Sequence, residues 1–183
     1  MKKLAIFASG TGSNFEAVAM SISEGKLHAE IALLVCDKPQ APVIIKAERL
    51  GIKTLIIEPK NYDCKESYEK AILDACQKSD LSLIVLAGYM RLVGHTLLNA
   101  YPKKIINIHP SLLPAFKGKN AIQQALEYGV KVTGVTVHYV DEGMDTGQII
   151  SQHPLLITEN IDVEAAIHKI EHELLISTIE QLM

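Results

Sequence analysis

Leu4-Ala-Ile-Phe-Ala8, then Ser9-Gly-Thr-Gly-Ser-Asn14, then Phe15, Val18, Ala19 and Ile22 form the stretch that decides the fold. A short apolar run has the length of a buried strand, and apolar residues recurring at three and four mark an amphipathic helix. Gly25 is a natural end for that helix. A strand that enters a glycine-rich turn and leaves as a helix opens a βαβ unit. Free backbone N–H groups and the helix dipole converge at such a turn, so it can also hold an anion. Gly10 and Gly12 give G-x-G, and Ser13 and Asn14 can add side-chain donors. The third glycine position of a dinucleotide fingerprint holds Phe15, although Asp37 could act as a ribose partner. A single phosphate is therefore favoured over a dinucleotide, the alternative being a turn whose glycines serve only the backbone.

Working outward, Ile31–Cys36, Lys53–Ile57, Leu81–Ala87 and Lys104–His109 read as further strands. Between them, Ala41–Leu50 (stopped by Gly51), Ser67–Gln77 and a short turn at Leu97–Tyr101 read as helical. Pro59 halts the third strand. The alternation predicts right-handed crossovers and a twisted, mostly parallel sheet covered on both faces. Beyond His109 the pattern changes: a Pro-bounded loop, a helix over Asn120–Tyr128, two strands at Thr133–Val140 and Gly147–Pro154, and a closing helix over Val163–Met183. No repeat or linker interrupts this, so a single domain over residues 1–183 is expected.

Of 183 residues 48% are hydrophobic but only 5% aromatic, with no Trp, so the core must be aliphatic. A net charge of −3 supplies no basic field for a nucleic-acid backbone. No apolar run reaches the ~20 residues of a membrane span, and the N-terminal run is too short for a signal peptide. Cys36, Cys64 and Cys76 form no CxxC pair, as expected of reduced thiols in the cytosol. Cys64 has no activating His beside it and reads as a bystander.

Along a strand side chains alternate, so Asn107 and His109 share one side while Ile106 and Ile108 share the other. Pro110 leaves His109 at the strand's carboxyl tip, where open α/β sheets place their ligands. An amide donor and an imidazole aimed at one point suit an oxyanion formed by attack on a carbonyl, and the imidazole can also exchange protons. His138 reads equally as a core histidine or a ligand contact. The turn Asp141-Glu-Gly-Met-Asp-Thr-Gly147 carries three carboxylates, and one held beside His109 would favour imidazolium. Asp145, between Met144 and the Thr146-Gly147 pair, is preferred over Asp141. His168 and His172, spaced i, i+4 with Glu164 nearby, lack a third ligand for zinc, so no metal is expected and the pair reads as solvated.

Four segments occur in order: Ser9-Gly-Thr-Gly-Ser-Asn14, Leu86-Ala-Gly-Tyr-Met-Arg91, Asn107-Ile-His-Pro-Ser-Leu-Leu-Pro114 and Val137-His-Tyr-Val-Asp-Glu-Gly-Met-Asp-Thr-Gly147. Together, over about residues 3 to 175, they resemble the phosphoribosylglycinamide formyltransferases, folate-dependent enzymes of purine synthesis. The resemblance implies a Rossmann-like three-layer α/β/α formyltransferase fold, mostly parallel with an antiparallel C-terminal part. It implies transfer of a formyl group from 10-formyltetrahydrofolate to the amine of glycinamide ribonucleotide, in the cytoplasm, with no metal. Asn107, His109 and Asp145 would be catalytic. Gly12, Ser13, Asn14, His168 and Glu171 would bind glycinamide ribonucleotide. Lys65, Met90, Arg91, Leu92 and Val93 would bind folate, together with Asn107, Asp141, Glu142 and Asp145. A homodimer is compatible with it. Lys65, Lys117 and Leu175-Ile176 depart from common family residues (Arg, Pro and Tyr-Pro) without touching the implied chemistry.

Two relatives with other tasks are disfavoured. A formyltransferase acting on methionyl-tRNA is expected to carry a second, basic domain. A hydrolase of the same folate is expected to carry an N-terminal regulatory domain, whereas this chain starts at its first strand. A non-catalytic nucleotide-binding module would leave Asn107, His109 and Asp145 without a task.

Overall fold

The computed structural model describes residues 1–183. Strand β1 (Lys2–Ala8) shows how the sheet is built, because its alternating side chains enter different cores. Leu4, Ile6 and Ala8 join one apolar cluster, while Ala5 and Phe7 join another. Both faces of the strand are thus covered, as its unbroken apolar run requires.

The other strands are β2 (Ala29–Cys36), β3 (Thr54–Ile56), β4 (Leu83–Leu86), β5 (Ile105–His109), β6 (Val132–Tyr139) and β7 (Ile149–Leu156). They form one seven-stranded sheet in the order β3-β2-β1-β4-β5-β6-β7. The first five are parallel, and β6 and β7 are antiparallel to their neighbours. Helices α1 (Ser13–Ser23), α2 (Pro42–Arg49) and α6 (Val163–Leu182) cover one face through Phe15, Val18, Val43, Ile167 and Leu175. Helices α3 (Lys65–Gln77) and α4 (His95–Ala100) cover the other through Tyr68, Ile72, Cys76 and Leu97. Helix α5 (Ala121–Tyr128) precedes β6. This is the three-layer, mostly parallel arrangement with an antiparallel end.

The predicted elements are all present, with bounds moved by a few residues. A 3-10 turn at Pro59–Asn61 goes beyond them. No helix is long and apolar enough to cross a membrane.

From β1 the chain works outward to β3, then returns to the other side through β4 and β5. The carboxyl ends of β1 and β4 are therefore followed by loops that part in opposite directions. Such a switch point opens a crevice for ligands.

Candidate active site

A cavity of about 710 Å³ occupies this crevice. Its walls include Gly12–Asn14 after β1, Met90–Val93 after β4, Asn107 and His109 on β5, Asp141 and Asp145 after β6, and His168 and Glu171 on α6. One space thus gathers all but two of the residues to which the resemblance gives a role. Lys65 instead lines a neighbouring cavity of about 480 Å³ that shares Tyr89–Val93, and its Nζ lies 3.8 Å from Glu69 Oε1. Glu142 does not line the main cavity; its carboxylate turns outward to His95, 3.3 Å away. A carboxylate 71% exposed gains more from water than from a cavity wall.

At one end, Gly12 caps α1 with φ +73°. A side chain there would be strained, and its Cβ would run into the Val43 side chain of α2. The close approach is held by a 3.2 Å hydrogen bond from Val43 N–H to the Gly10 carbonyl. Asn14 is buried with Oδ1 unpartnered by protein, which in a cavity wall marks a place for a ligand donor. Glu171 reaches the same end because α6 packs on α1. Burial pushes its carboxyl up to about 7, only partly opposed by Asn14. His172 does not fit the solvated reading: its Nε2 is buried and unpartnered, while His168 faces the cavity.

At the other end, strand pairing builds a polar cluster. Asn107 stands opposite His138, and His109 opposite Thr136, in the β5–β6 register. Asn107 Nδ2 lies 3.2 Å from His138 Nε2 and donates to Asp145 Oδ1 at 3.4 Å. Asp145 Oδ2 lies 3.4 Å from His109 Nδ1 and accepts the Gly118 N–H at 2.8 Å. His109 Nε2 lies 2.9 Å from the Phe116 carbonyl. Both His109 nitrogens therefore face acceptors, one of them a carboxylate. Burial alone would raise the Asp145 carboxyl, but the His138 ring, the Gly118 N–H and His109 outweigh it and hold the carboxyl low. The charged form of Asp145 is thus the one this pocket is shaped around.

The two aspartate carboxylates of the turn after β6 are placed differently. Asp141 Oδ1 is spent on its own turn, accepting Gly143 N–H at 3.0 Å and Thr146 Oγ–H at 2.6 Å. Asp145 has φ +53°, a left-handed conformation that Asp tolerates better than most residues. That backbone turns its carboxylate back toward β5.

Residues 2–179 match the formyl transferase family. The chain belongs to it. It is 55% identical to phosphoribosylglycinamide formyltransferase of Bacillus subtilis, over the whole of this chain and 95% of that one. The crystal structure of phosphoribosylglycinamide formyltransferase from Bacillus halodurans superposes with a TM-score of 0.94 at 49% identity, covering 99% of this chain and 95% of that one. Glycinamide ribonucleotide transformylase 1 from Geobacillus kaustophilus gives a TM-score of 0.94 at 51% identity, covering 100% and 98%.

In this formyltransferase the loop after His109 is held by residues that sequence reading passed over. Thr136 Oγ1 accepts the Leu113 N–H at 3.1 Å and donates to the Ser111 carbonyl at 2.7 Å. Gln152 Nε2 donates to the Leu113 carbonyl at 3.0 Å and to Thr136 Oγ1 at 2.9 Å. The loop so fixed delivers the Phe116 carbonyl to His109. A signal for Thr136 did exist: it shares a face of β6 with His138, left open above between core and ligand contact and found both buried and in the cavity wall. Only the register could pair the two strands.

The formyltransferase also assigns Asp37 a different partner from a ribose. Its Oδ1 accepts the Ser9 hydroxyl and its Oδ2 pairs with Arg91 Nε at 2.9 Å. A buried carboxylate paired with Arg91 and lining neither cavity is not turned toward a dinucleotide, which agrees with Phe15 at the fingerprint's third position.

Proposed function

We propose that this formyltransferase moves the formyl group of 10-formyltetrahydrofolate to the amine of glycinamide ribonucleotide, in purine synthesis. The products are formylglycinamide ribonucleotide and tetrahydrofolate. The observation that carries the reading is the shared cavity: the glycine-rich start of α1 at one end, and Asn107, His109 and Asp145 at the other. Its volume suits two small substrates laid end to end. The names of the similar proteins from Bacillus subtilis and Geobacillus kaustophilus point to the same acceptor.

Each end then has a task. Gly12, Ser13 and Asn14 hold the acceptor's phosphate on free N–H groups at the start of α1. Glu171 and His168 face its glycinamide-ribose part. Met90, Arg91, Leu92 and Val93 line the donor's side, with Asp141 to Asp145 as the other wall. Lys65 and Glu142, outside the main cavity, serve the donor at its margin.

The acceptor's neutral amine attacks the formyl carbon, a new C–N bond forms, and the carbonyl electrons move onto oxygen. Asn107 Nδ2 and His109 Nε2 donate to that oxyanion, Asn107 giving up its long 3.4 Å bond to Asp145 and His109 its bond to the Phe116 carbonyl. Asp145 Oδ2, 3.4 Å from Nδ1, sets a negative charge beside the imidazole during this step. When the oxyanion collapses, the bond to the donor nitrogen breaks, and one proton passes from the amine to that nitrogen, relayed by water. Preorganised donors of this kind are worth ~10²- to 10³-fold in turnover each.

We further read residues 1–183 as one catalytic domain working in the cytoplasm. Steady-state formyl transfer with purified protein, glycinamide ribonucleotide and 10-formyltetrahydrofolate tests the proposal. Turnover that His109→Ala lowers by ~10²-fold or more supports it. Binding of both ligands without turnover by the wild type would instead identify a non-catalytic module.

A further inference from the structure

Asp37 lines neither cavity, yet it is buried, charged and connected to the wall of both. It sits just past the end of β2, two strands away from β4. Through Oδ2 it grips Arg91 Nε at 2.9 Å; through Oδ1 it accepts the Ser9 hydroxyl. Ser9 Oγ in turn accepts the Met90 N–H at 3.0 Å, and Ser9 N–H donates to the Gly88 carbonyl at 3.1 Å. The start of the loop after β4 is thereby tied to the tips of β1 and β2.

The far end of the same loop is tied as well. Gly94 N–H donates to Glu69 Oε1 at 2.6 Å, and Glu69, on α3, is also buried. Between the two anchors Arg91 lies 5.9 Å over the Tyr68 ring. Met90 and Leu92, large apolar residues about half exposed, would otherwise have little to hold them in place.

We infer that Asp37 is a positioning residue for the formyl donor. By pairing with Arg91 and, through Ser9, with the Met90 backbone, it holds the Met90–Val93 wall in its binding shape. A wall fixed beforehand spares the ligand the cost of ordering it. The inference rests on the reading that Met90–Val93 face the donor. The Asn107, His109 and Asp145 cluster makes no hydrogen bond with Asp37, so the chemistry itself is untouched.

Asp37→Asn isolates the effect, because an amide oxygen can still accept the Ser9 hydroxyl while the charge facing Arg91 is gone. Losing a charge-assisted hydrogen bond of this kind should raise the donor's KM roughly tenfold. Turnover number and the KM of glycinamide ribonucleotide should stay within about twofold. Titration with tetrahydrofolate, the product, should show the same weakening without any catalysis. In an Arg91→Ala background, Asp37→Asn should have no further effect on donor KM. An unchanged donor KM in folded Asp37→Asn protein, or a loss spread equally over turnover and both KM values, would overturn the inference. So would full additivity with Arg91→Ala. Wild-type protein that transferred no formyl group would count against the function proposed above. Tetrahydrofolate titration of the same two proteins would still decide whether Asp37 shapes the folate wall.

Discussion

Asn107 and His138 stand directly opposite each other across the β5–β6 ladder, with the amide Nδ2 3.2 Å from the ring Nε2. His138 Nδ1 lies 2.8 Å from the Tyr139 carbonyl and donates to it, which in the neutral ring leaves Nε2 as the acceptor for the amide, whereas a charged ring would turn an Nε2–H toward Asp145 Oδ1, 3.6 Å away. The ring therefore fixes which way the Asn107 amide points. The amide oxygen and nitrogen cannot exchange places without setting a carbonyl against a lone pair.

This makes Asn107 and His138 unequal in their effects. Asn107→Ala removes a proposed oxyanion donor and should lower kcat by ~10²-fold. His138→Ala frees the amide to turn and removes a neighbour of Asp145, and should cost roughly tenfold in kcat with KM values little changed. Steady-state kinetics on both variants checks the order. A His138→Ala protein as slow as Asn107→Ala would give the ring a direct part in the chemistry.

Asp145→Asn should lower kcat by ~10²-fold, since an amide brings no negative charge to the His109 ring during proton exchange. The backbone should tolerate it, because Asn accepts a φ of +53° as readily as Asp does. The stability profile should change too. The Asp145 carboxyl is held below its usual 3.8, so it stabilises the fold above that pH and ceases to as pH falls through its lowered value. Urea unfolding of wild type and Asp145→Asn on the acid side would show a shallower loss for the variant. Parallel curves would mean that Asp145 is not held charged by its surroundings.

Glu171 acts in the opposite sense. Burial raises it from 4.5 to about 7, so its protonated form is favoured by folding. The stability it contributes is complete below 4.5 and is lost as pH rises through about 7. Wild type should thus weaken across this window, while Glu171→Gln, which mimics the neutral form, should stay level. Thermal unfolding at several pH values reads this directly. Because Glu171 lines the acceptor's end, Glu171→Gln should also raise the KM of glycinamide ribonucleotide more than that of the donor.

Gly12→Ala combines a strained φ of +73° with a collision at Val43. The cost should be about 1–3 kcal/mol of stability. It should also raise the KM of glycinamide ribonucleotide, because the first turn of α1 must shift to make room. Tm and acceptor KM, measured together, check it. A Gly12→Ala protein with unchanged acceptor affinity would separate this loop from phosphate binding.

Much of this protein was legible because its local signals agree with its fold. The apolar run Leu4–Ala8, the turn after it and the helical spacing from Phe15 specify a βα unit by themselves. Asn107 and His109 could be placed on one side of a strand because alternation is a local property. Sequence alone, through those residue types and that resemblance, also determined the class of chemistry.

Register, burial and long-range partners belong to the tertiary structure. Asp145 was preferred to Asp141 chiefly through the resemblance; the tertiary structure supplied the physical reason, with φ +53° at Asp145 beside His109 and a local turn consuming the Asp141 carboxylate. Asp37 looked like a ribose partner until Arg91, 54 residues away in sequence, proved to occupy it. Lys65 and Glu142 were left outside the main cavity by where α3 and the turn beyond β6 settle. The physical reason is common to all of these. Strand and helix follow from neighbours a few residues apart, whereas the partner of a carboxylate depends on which distant segments the sheet order brings within 3 to 4 Å.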